Sequence, residues 1–572
     1  MATITINNRT LNVEEGKSIL EVAKEHNINI PTLCHFPDLN VQSDCRICMS
    51  EIVGEKKLAP SCSTPVKDGM IIKTSSPRVL NARKTMTELL LANHDTNCTA
   101  CERNLNCELQ SLADTLGIDE NRFDNILKHE PLDDNNPSIT RNADRCIKCG
   151  RCIEVCKNVQ GVHVLDYLNR SNDTSVAPAY GRFLNDQECT YCGQCANVCP
   201  VASITEKSDL DRVWHALHDE NKHVIVQTAP ATRVSLGETM GMEPGEVVTE
   251  KMVAALRQIG FDKVFDTDFT ADLTILEEGH ELLHRVKEGG TLPMITSCCP
   301  GWVNYAEQKN PDILDHLSTA KSPQQMFGAL AKTYYADKES YDPKDVFVVS
   351  IMPCTAKKYE AAREEMQAHG TTPDVDAVLT TRELGKMIKQ MGIDFNKIPK
   401  EAYDAPFGIT SGAGAIFGAT GGVMEAALRT VSEVVNEQPL EKLDFKTIRG
   451  LEGIKEASVT LGDNTFKVAV AHELANAQKV IDEIKDGTSE YAFIEVMACP
   501  GGCIGGGGQP YTTTTQRRLE RIDAIYQVDS DMPLRKSHEN PAVKALYEEY
   551  LDKPLSKRSH TLLHTHYKRR TP

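Results

Sequence analysis

The chain begins with alternating apolar and polar residues and changes, after about residue 210, to a succession of longer apolar runs. Residues 3–6 alternate position by position, which predicts a strand with one buried face, and residues 18–23 have the spacing of an amphipathic helix. The later runs include residues 223–227, 345–351 and 493–497, with helix-like stretches between them. Short, mostly apolar runs of this kind are typical of buried strands, so we expect a small strand-rich domain followed by a large α/β domain.

A chain of 572 residues is too long for a single hydrophobic core. Changes in the pattern along the chain predict four domains, at residues 1–78, 79–125, 126–209 and 210–572. The first three domains are short and rich in cysteine, whereas the fourth is large enough to contain an active site.

The N-terminus and the overall charge restrict the location and the partners of the protein. The opening residues lack the basic start and apolar core of a signal peptide, and no apolar run reaches the roughly 18 residues of a membrane span. We therefore predict a cytoplasmic protein without a membrane partner. The formal net charge of −18 argues against binding to the phosphate backbone of nucleic acid.

The twenty cysteines fall into groups that indicate metal binding. Four lie before residue 63, three at 98–107, eight at 146–199 and five at 298–503. Cytoplasmic thiols are kept reduced, and clustered cysteines there bind metal more often than they form disulfides.

The first group, Cys34, Cys45, Cys48 and Cys62, lies in the strand-rich domain. Four thiolates in such a domain suit a 2Fe-2S cluster, and the spacing resembles that of a plant-type ferredoxin domain with a longer first gap. Four cysteines also suit structural zinc, which is the alternative interpretation.

The second group combines one histidine, His94, with Cys98, Cys101 and Cys107. One imidazole and three thiolates hold either zinc or a 4Fe-4S cluster, and the spacing alone does not distinguish them. Because His94 lies only four residues before the first cysteine, we predict that it is the fourth ligand of a 4Fe-4S module.

The third group is an internal repeat typical of ferredoxins with two 4Fe-4S clusters. In such ferredoxins the fourth cysteine of each run binds the cluster of the other run. This arrangement assigns one cluster to Cys146, Cys149, Cys152 and Cys199, and the other to Cys189, Cys192, Cys195 and Cys156. Together with the first two groups, these clusters form an electron relay, and a relay needs a site at which chemistry takes place.

The last five cysteines follow apolar runs that lie far apart in the sequence. Cys298 and Cys299 follow one run, Cys354 follows another, and Cys499 and Cys503 follow a third. Open α/β sheets place their ligands at the carboxyl ends of strands, so these cysteines are expected to converge on one active centre.

Residues 296–302, 352–360 and 495–510 resemble the three signatures of the FeFe (iron-only) hydrogenases. With the accessory cysteine groups in this order, nearly the whole chain resembles the monomeric, clostridial-type ferredoxin hydrogenase. The resemblance implies a multidomain α+β and α/β fold: an N-terminal β-grasp ferredoxin-like domain, a His/Cys cluster module, a two-cluster bacterial ferredoxin-like module and a two-lobed α/β catalytic domain.

The resemblance also implies the reaction and its cofactors. The expected reaction is the reversible oxidation of dihydrogen to protons and electrons, by heterolytic cleavage at a 4Fe-4S cluster linked to a two-iron subsite. The subsite would carry carbon monoxide, cyanide and a bridging azadithiolate, and separate maturation proteins would build it. By the same resemblance, the 4Fe-4S cluster is held by Cys299, Cys354, Cys499 and Cys503, of which Cys503 also bridges to the subsite.

Further site residues are implied by their match to family positions. Lys357 is the expected partner of a cyanide, and a surface lysine is the alternative interpretation. The other positions expected around the cofactor are Ala229, Pro230, Ser322, Gln324, Met352, Phe417 and Met497. The phenylalanine and the two methionines are equally typical of an ordinary hydrophobic core.

A proton path is implied in the same way. The thiol of Cys298 would exchange a proton with the azadithiolate amine, and the path would continue outward through Glu278, Ser318, Glu281 and Arg285. A thiol of moderate pKa suits this exchange near neutral pH. The three charged residues also have the spacing of a solvated helix face, which is the alternative interpretation.

Three rival functions remain possible from the residues: a hydrogen-sensing or NADH-linked subunit, a non-enzymatic iron–sulfur assembly factor and a simple electron carrier. The chain shows no flavin or nicotinamide fingerprint, so ferredoxin or flavodoxin is the predicted electron partner. A monomer is expected by analogy with the family. The segment after Tyr511 contains no interpretable motif.

Overall fold

The alternating N-terminal residues form the first strands of a five-stranded sheet in the computed structural model, which describes residues 1–368, 370, 372–440, 442–462 and 464–571. The elements are β1 (Ala2–Ile6), β2 (Arg9–Val13), α1 (Ile19–Glu25), β3 (Met49–Ile52), β4 (Ala59–Pro60) and β5 (Ile71–Lys73). The strand order is β2-β1-β5-β3-β4, and β1 and β5 run parallel. Helix α1 begins with a capping box between Ser18 and Glu21 and buries its apolar face. The predicted β-grasp fold is confirmed.

The two following modules consist of short helices and hairpins around their cysteines. The elements are α2 (Pro77–Leu91), α3 (Glu108–Thr115), β6 (Ile139–Arg141), α4 (Arg151–Glu154), β7 (Asp166–Leu168), β8 (Ser175–Ala177), α5 (Gln194–Val198) and β9 (Ile204–Glu206). Gly150 and Gly193 precede α4 and α5, and both adopt left-handed backbone, with φ of 75° and 69°. Lys148 and Tyr191 match them at φ of 57° and 59°. The internal repeat in the sequence is therefore a repeat of backbone conformation as well.

The large domain contains two four-stranded sheets, one in each lobe. Its strands are β10 (His223–Thr228), β11 (Lys263–Asp266), β12 (Met294–Ile295), β13 (Val346–Met352), β14 (Ala377–Thr380), β15 (Ile454–Leu461), β16 (Asn464–His472) and β17 (Tyr491–Met497). The first sheet has the order β11-β10-β13-β14 and is parallel throughout. The second has the order β12-β17-β16-β15, in which only β15 is antiparallel. The predicted two-lobed α/β domain is confirmed.

Helices cover both sheets of this domain. They are α6 (Leu210–Leu217), α7 (Thr249–Ile259), α8 (Asp268–Glu288), α9 (Pro300–Lys309), α10 (Pro323–Leu330), α11 (Ala336–Lys338), α12 (Ala356–Ala361), α13 (Thr381–Gln390), α14 (Gly412–Ala415), α15 (Gly422–Asn436), α16 (Leu474–Lys485), α17 (Thr515–Asp531), α18 (Pro541–Leu546) and α19 (Lys557–Leu563). Most of α8, 21 residues long, is buried between the lobes. Throughout the ranges given above, no helix has both the length and the apolar character needed to cross a bilayer.

The C-terminal segment, which the sequence did not explain, ties down the chain before α10. The amide of Lys321 donates to the carbonyl of Leu563 at 2.7 Å, and the amide of Thr565 donates to the carbonyl of Thr319 at 2.8 Å. The ring of His564 contacts the Thr319 hydroxyl at 2.8 Å. The segment therefore holds residues 318–322, which include two predicted site residues, in place.

The cluster modules and the large domain meet in close backbone contact. A Cβ atom added to Gly507 would lie 2.2 Å from the carbonyl oxygen of Cys192, so only glycine fits there. Nearby, the ring of Tyr511 lies between the guanidinium groups of Arg103, 3.8 Å from the ring centroid, and Arg382, 4.3 Å away. These contacts join all the later modules around Cys192.

Candidate active site and cysteine clusters

A cavity lies where the carboxyl ends of the two sheets face each other. It contains about 720 Å³ of space free of protein atoms. Its walls are Ala229, Pro230, Thr267, Cys298, Cys299, Pro300, Pro323, Gln324, Met352, Pro353, Cys354, Lys357, Phe417, Met497, Cys499, Gly502, Cys503 and Gly506. The three cysteine segments, separated by 50 or more residues in the sequence, therefore converge as their positions after apolar runs predicted.

Four thiols that line the cavity would be the ligands of a metal cluster bound there. Cys299 precedes α9, Cys354 follows β13, and Cys499 and Cys503 lie in the glycine-rich turn after β17. The Sγ atom of Cys299 accepts a hydrogen bond from the amide of Ala498 at 3.3 Å. Burial and the neighbouring Cys299 raise the pKa of Cys503 to about 12. Thiolates at this depth need a compensating cation, which iron would provide.

A buried carboxylate, Glu360, organises the polar wall of the cavity. Its Oε2 atom accepts hydrogen bonds from Ser322 Oγ at 2.9 Å, Gln324 Nε2 at 3.1 Å and Lys357 Nζ at 2.9 Å. Lys357 also donates to the carbonyl of Cys298 at 3.0 Å. Burial alone would lower the pKa of Lys357, but the attraction of Glu360 outweighs it and raises the pKa. The ammonium is therefore charged inside an otherwise apolar cavity.

The sequence reasoning missed Glu360, although it lies in a segment recognised as a signature. The available signal was its spacing, because a residue three positions after Lys357 on a helix lies on the same face. Ser322 was predicted to contact the cofactor, but it is not part of the cavity wall, and its hydroxyl donates to Glu360 instead. Thr267, which lines the cavity after β11, was also missed.

The predicted proton-path residues lie along one side of α8. Ser318 Oγ donates to Glu281 Oε2 at 2.9 Å, and Arg285 Nη2 donates to Glu281 Oε1 at 2.7 Å. Glu278 and Glu281 are buried, so these two residues do not form a solvated helix face. Neither carboxylate oxygen of Glu278 has a hydrogen-bond partner within the described part of the chain.

The groups nearest the cavity on this side favour their neutral forms. Burial and the nearby Glu281 raise the pKa of Glu278 to about 8. Burial and then the proximity of Glu278 raise the pKa of Cys298 well above its ordinary value, contrary to the moderate pKa expected from the sequence. Cys298 is therefore a neutral thiol that faces the cavity, with a titratable carboxyl group behind it.

The structure also brings the four cysteines of the first accessory group close together. The Sγ atoms of Cys48 and Cys62 are 3.4 Å apart, and the amide of Cys45 donates to Cys34 Sγ at 3.5 Å. His94 is buried, and its Nδ1 atom has no hydrogen-bond partner among the described residues. Burial lowers the pKa of this imidazole to about 4, so it is neutral and suited to bind a metal.

The crossed arrangement of the internal repeat is visible in the positions of its thiols. One small cavity is lined by Cys146, Cys149, Cys152 and Cys199. Cys156 lies close enough to Cys189, Cys192 and Cys195 to raise their pKa values, although burial has the larger effect. All twenty cysteines are described and are free thiols. The two sets of the repeat and the four cysteines of the first group therefore have the donors for iron–sulfur clusters.

We expect Glu360→Gln to reduce the free energy of unfolding of the large domain by about 3 to 5 kcal/mol, because it leaves a buried ammonium unpaired. Both tryptophans of the chain, Trp214 and Trp302, lie in this domain, so denaturation followed by tryptophan fluorescence reports on it. Glu365→Gln is the matched control, since that carboxylate also pairs with a buried cation, Arg363, but is itself partly exposed. A second change, Lys357→Met, should restore most of the loss, and equal losses in the two glutamine variants would contradict this account.

We expect the stability of the protein to fall between about pH 5 and pH 8 because of Glu278. The native state keeps this proton up to a pKa of about 8, whereas the unfolded chain releases it near the ordinary value of 4.5. The stabilisation from this proton is therefore complete at low pH. As the pH rises from about 5 to about 8, it decreases by up to about 1.4 kcal/mol per pH unit. Glu278→Gln should remove this slope from the denaturation data, and the exposed Glu288→Gln should keep it. Identical slopes in all three proteins would show that Glu278 ionises normally.

Known protein domains match the chain from end to end. The matches are a 2Fe-2S iron-sulfur cluster binding domain at residues 1–77, the NADH-ubiquinone oxidoreductase-G iron-sulfur binding region at 83–122, a 4Fe-4S dicluster domain at 136–203, the C-terminal domain of the iron only hydrogenase large subunit at 222–507 and the iron hydrogenase small subunit at 515–570. The last match includes the segment that had no interpretable motif.

Similar proteins share both the sequence and the fold. An NADP-reducing hydrogenase subunit, HndD, of Solidesulfovibrio fructosivorans is 52% identical over 582 residues, which cover 100% of this chain and 99% of the relative. Iron hydrogenase 1 of Clostridium pasteurianum is 43% identical over 578 residues, 100% of both chains. The structure of an apo [FeFe]-hydrogenase variant of Chlamydomonas reinhardtii, 43% identical, matches with a TM-score of 0.58 over 64% of this chain and 99% of that one. The chain belongs to the iron-only hydrogenase family.

Proposed function

We propose that the cavity between the lobes holds a six-iron centre at which dihydrogen is made and consumed. The chain is an FeFe hydrogenase, so its reaction is the reversible conversion of dihydrogen to protons and electrons. In this proposal Cys299, Cys354, Cys499 and Cys503 would hold a 4Fe-4S cluster, and Cys503 would also hold a two-iron subsite with carbon monoxide, cyanide and azadithiolate. When bound, this group supplies the redox chemistry of the reaction. The convergence of the four thiols on one cavity is the observation that carries the proposal.

The protein contributes binding and exclusion of water around this group. An ammonium has three N–H donors, and Lys357 uses two of them for Glu360 and the carbonyl of Cys298. The third is available to an anionic ligand such as cyanide. Ala229, Pro230, Met352, Phe417 and Met497 form the apolar wall that keeps water away. Gln324 offers an amide oxygen that has no partner in the described structure.

Protons would pass between the cavity and solvent through Cys298. The neutral thiol donates a proton into the cavity and recovers one from Glu278, whose raised pKa makes it a suitable donor near neutral pH. Beyond Glu278, the path would continue through Ser318, Glu281 and Arg285, which the hydrogen bonds described above join to one another. Arg285 lies at the outer end and is partly exposed.

Electrons would pass through four accessory centres: one 2Fe-2S cluster and three 4Fe-4S clusters. The centre on Cys156, Cys189, Cys192 and Cys195 adjoins the active site, because Cys192 is close enough to Cys499 to affect its pKa. His94 would complete the centre formed by Cys98, Cys101 and Cys107. We further propose a cytoplasmic monomer whose two-iron subsite is installed by maturation proteins.

The electron partner in this proposal is an acidic carrier, ferredoxin or flavodoxin. Leu105, between the ligands Cys101 and Cys107, is 88% exposed and offers an apolar contact beside a cluster. Residues 1–78 contain nine basic and nine acidic residues, whereas each of the other three modules has an excess of acid. Residues 1–78 are therefore the part of the chain least repulsive to an acidic carrier. The 52% identical relative named as an NADP-reducing subunit favours a second candidate, a partner subunit that reacts with NADP.

The main test is hydrogen evolution from a reduced viologen by protein produced anaerobically with the maturation machinery. We expect rapid evolution from protein containing about 20 iron atoms per chain. Cys298→Ala should keep this iron content and the infrared bands of the cofactor but lose most of the activity, because the proton path is interrupted at its inner end. Near-normal turnover in this variant would exclude Cys298 as the inner proton donor, and iron-loaded wild type without hydrogen evolution would favour a sensor.

The partner is tested by replacing the dye with reduced ferredoxin or with NADPH. We expect the isolated chain to use ferredoxin and not NADPH, and Leu105→Asn to raise the KM for ferredoxin about fivefold through loss of an apolar contact. Activity driven by the viologen should be unchanged in this variant. The control Leu519→Asn, which alters an exposed leucine of α17, should leave the KM for ferredoxin unchanged. Activity with NADPH only when other proteins copurify would favour the subunit hypothesis.

A further inference from the structure

We infer that Arg151 is the positioning residue at a junction of three accessory iron–sulfur centres, and that its buried charge helps to set the reduction potential of the centre on Cys146, Cys149, Cys152 and Cys199. This inference rests on the cluster assignments proposed above. Arg151 itself binds no cluster in this scheme, and it acts through the segments that carry the ligands.

The guanidinium of Arg151 contacts the neighbours of ligands from three different modules. Nη2 donates to the carbonyl of His35 at 2.9 Å, next to Cys34 of the 2Fe-2S centre. Nη1 and Nη2 donate to Glu108 at 2.8 and 2.9 Å, next to Cys107 of the His94 centre. Nη1 also reaches the carbonyl of Val198 at 3.4 Å, next to Cys199. Arg151 itself directly precedes Cys152.

The same three centres share one apolar core. It contains Cys34 and Cys45 of the first module, Cys149 and Cys199 of the third, and apolar residues of α3 and the 2Fe-2S domain, with Cys107 packed against it. Arg151 lies beside this core, only 3% exposed, and its guanidinium also lies 5.6 Å from the ring centroid of Phe36. A substitution of Arg151 therefore alters the surroundings of three ligand sets.

A fixed cation at this point favours the reduced state of a nearby cluster. Reduction adds one negative charge to a centre, and a buried positive charge stabilises that charge more than an exposed one does. An arginine keeps its charge at all working pH values, so this effect does not depend on titration. Glu108 opposes the effect, because its carboxylate lies against the guanidinium and next to Cys107. Removal of Arg151 and removal of Glu108 should therefore shift potentials in opposite directions.

A matched control is present in the same module. Lys157 directly follows the ligand Cys156, as Arg151 directly precedes Cys152, but its side chain is exposed to solvent. Lys157→Met and Arg151→Met remove the same charge beside a ligand cysteine, which belongs to the neighbouring centre in the first case and to the measured centre in the second. Because water and salt screen an exposed charge, only the second change should have a substantial effect.

The experiment is a redox titration of the holoenzyme followed by electron paramagnetic resonance. The signal of the centre on Cys146, Cys149, Cys152 and Cys199 is assigned by its loss in Cys146→Ser. We expect Arg151→Met to move the midpoint potential of this centre to more negative values, Arg151→Lys to move it less, and Glu108→Gln to move it to more positive values. Lys157→Met should leave it unchanged.

The outcomes separate this inference from the assignments on which it depends. If the wild type shows no signal that Cys146→Ser removes, the cluster assignment itself is wrong. If that signal is present but the arginine and glutamate variants do not shift it in opposite directions, Arg151 is a structural tie without influence on the potential. Should Arg151→Met fail to fold, Glu108→Gln and Arg151→Lys still decide the question. Equal shifts in Arg151→Met and Lys157→Met would also overturn the inference.

Discussion

The contact between Gly507 and Cys192 is the constraint on which the working arrangement of the molecule depends. The carbonyl of Cys192 lies where a side chain of residue 507 would begin, 2.2 Å from an ideal Cβ position. The turn containing Cys499 and Cys503 is therefore able to lie directly against the last accessory centre. Any larger residue would push the cluster module away from the cavity, and the electron path would lengthen at the step that serves the active site.

Within the cavity, burial restricts which side chains are charged. Buried thiols favour their neutral forms, as the raised pKa of Cys503 shows. Their thiolate forms therefore need a cation at the sulfur atoms to compensate the buried negative charge. The charge that the protein itself places in the cavity wall is paired: Lys357 and Glu360 form a buried ion pair, and Gln324 also donates to Glu360. One carboxylate thus fixes several donors before any cofactor arrives, which keeps the reorganisation on binding small.

The sequence predicted the parts of the molecule that depend on local spacing. The cysteine spacings, the strands that end two residues before Cys354 and Cys499 and the β-grasp alternation all depend on neighbours within about fifteen residues. The role of Arg151 was not predictable, because its partners His35 and Glu108 lie 116 and 43 residues away. The C-terminal segment was uninterpretable for the same reason, since its role depends on distant contacts such as the hydrogen bond from the amide of Lys321 to the carbonyl of Leu563. Contacts of this kind depend on tertiary packing, for which a single sequence contains no periodic signal.

In the proposed mechanism, the electron relay and the proton path reach the cavity at two adjacent residues, Cys299 and Cys298. Successive side chains of an extended segment point in opposite directions, and here Cys299 lies near Cys192 while Cys298 lies near Glu278. The cluster modules therefore lie on the Cys299 side of the cavity, and the residues of the proposed proton path lie on the Cys298 side, along α8. Because a single peptide unit connects the two thiols, a displacement of either path alters the other. The segment before α9 is held by contacts from both lobes: the amide of Thr296 donates to the carbonyl of Ile494 at 3.0 Å, and Lys357 Nζ donates to the carbonyl of Cys298 at 3.0 Å.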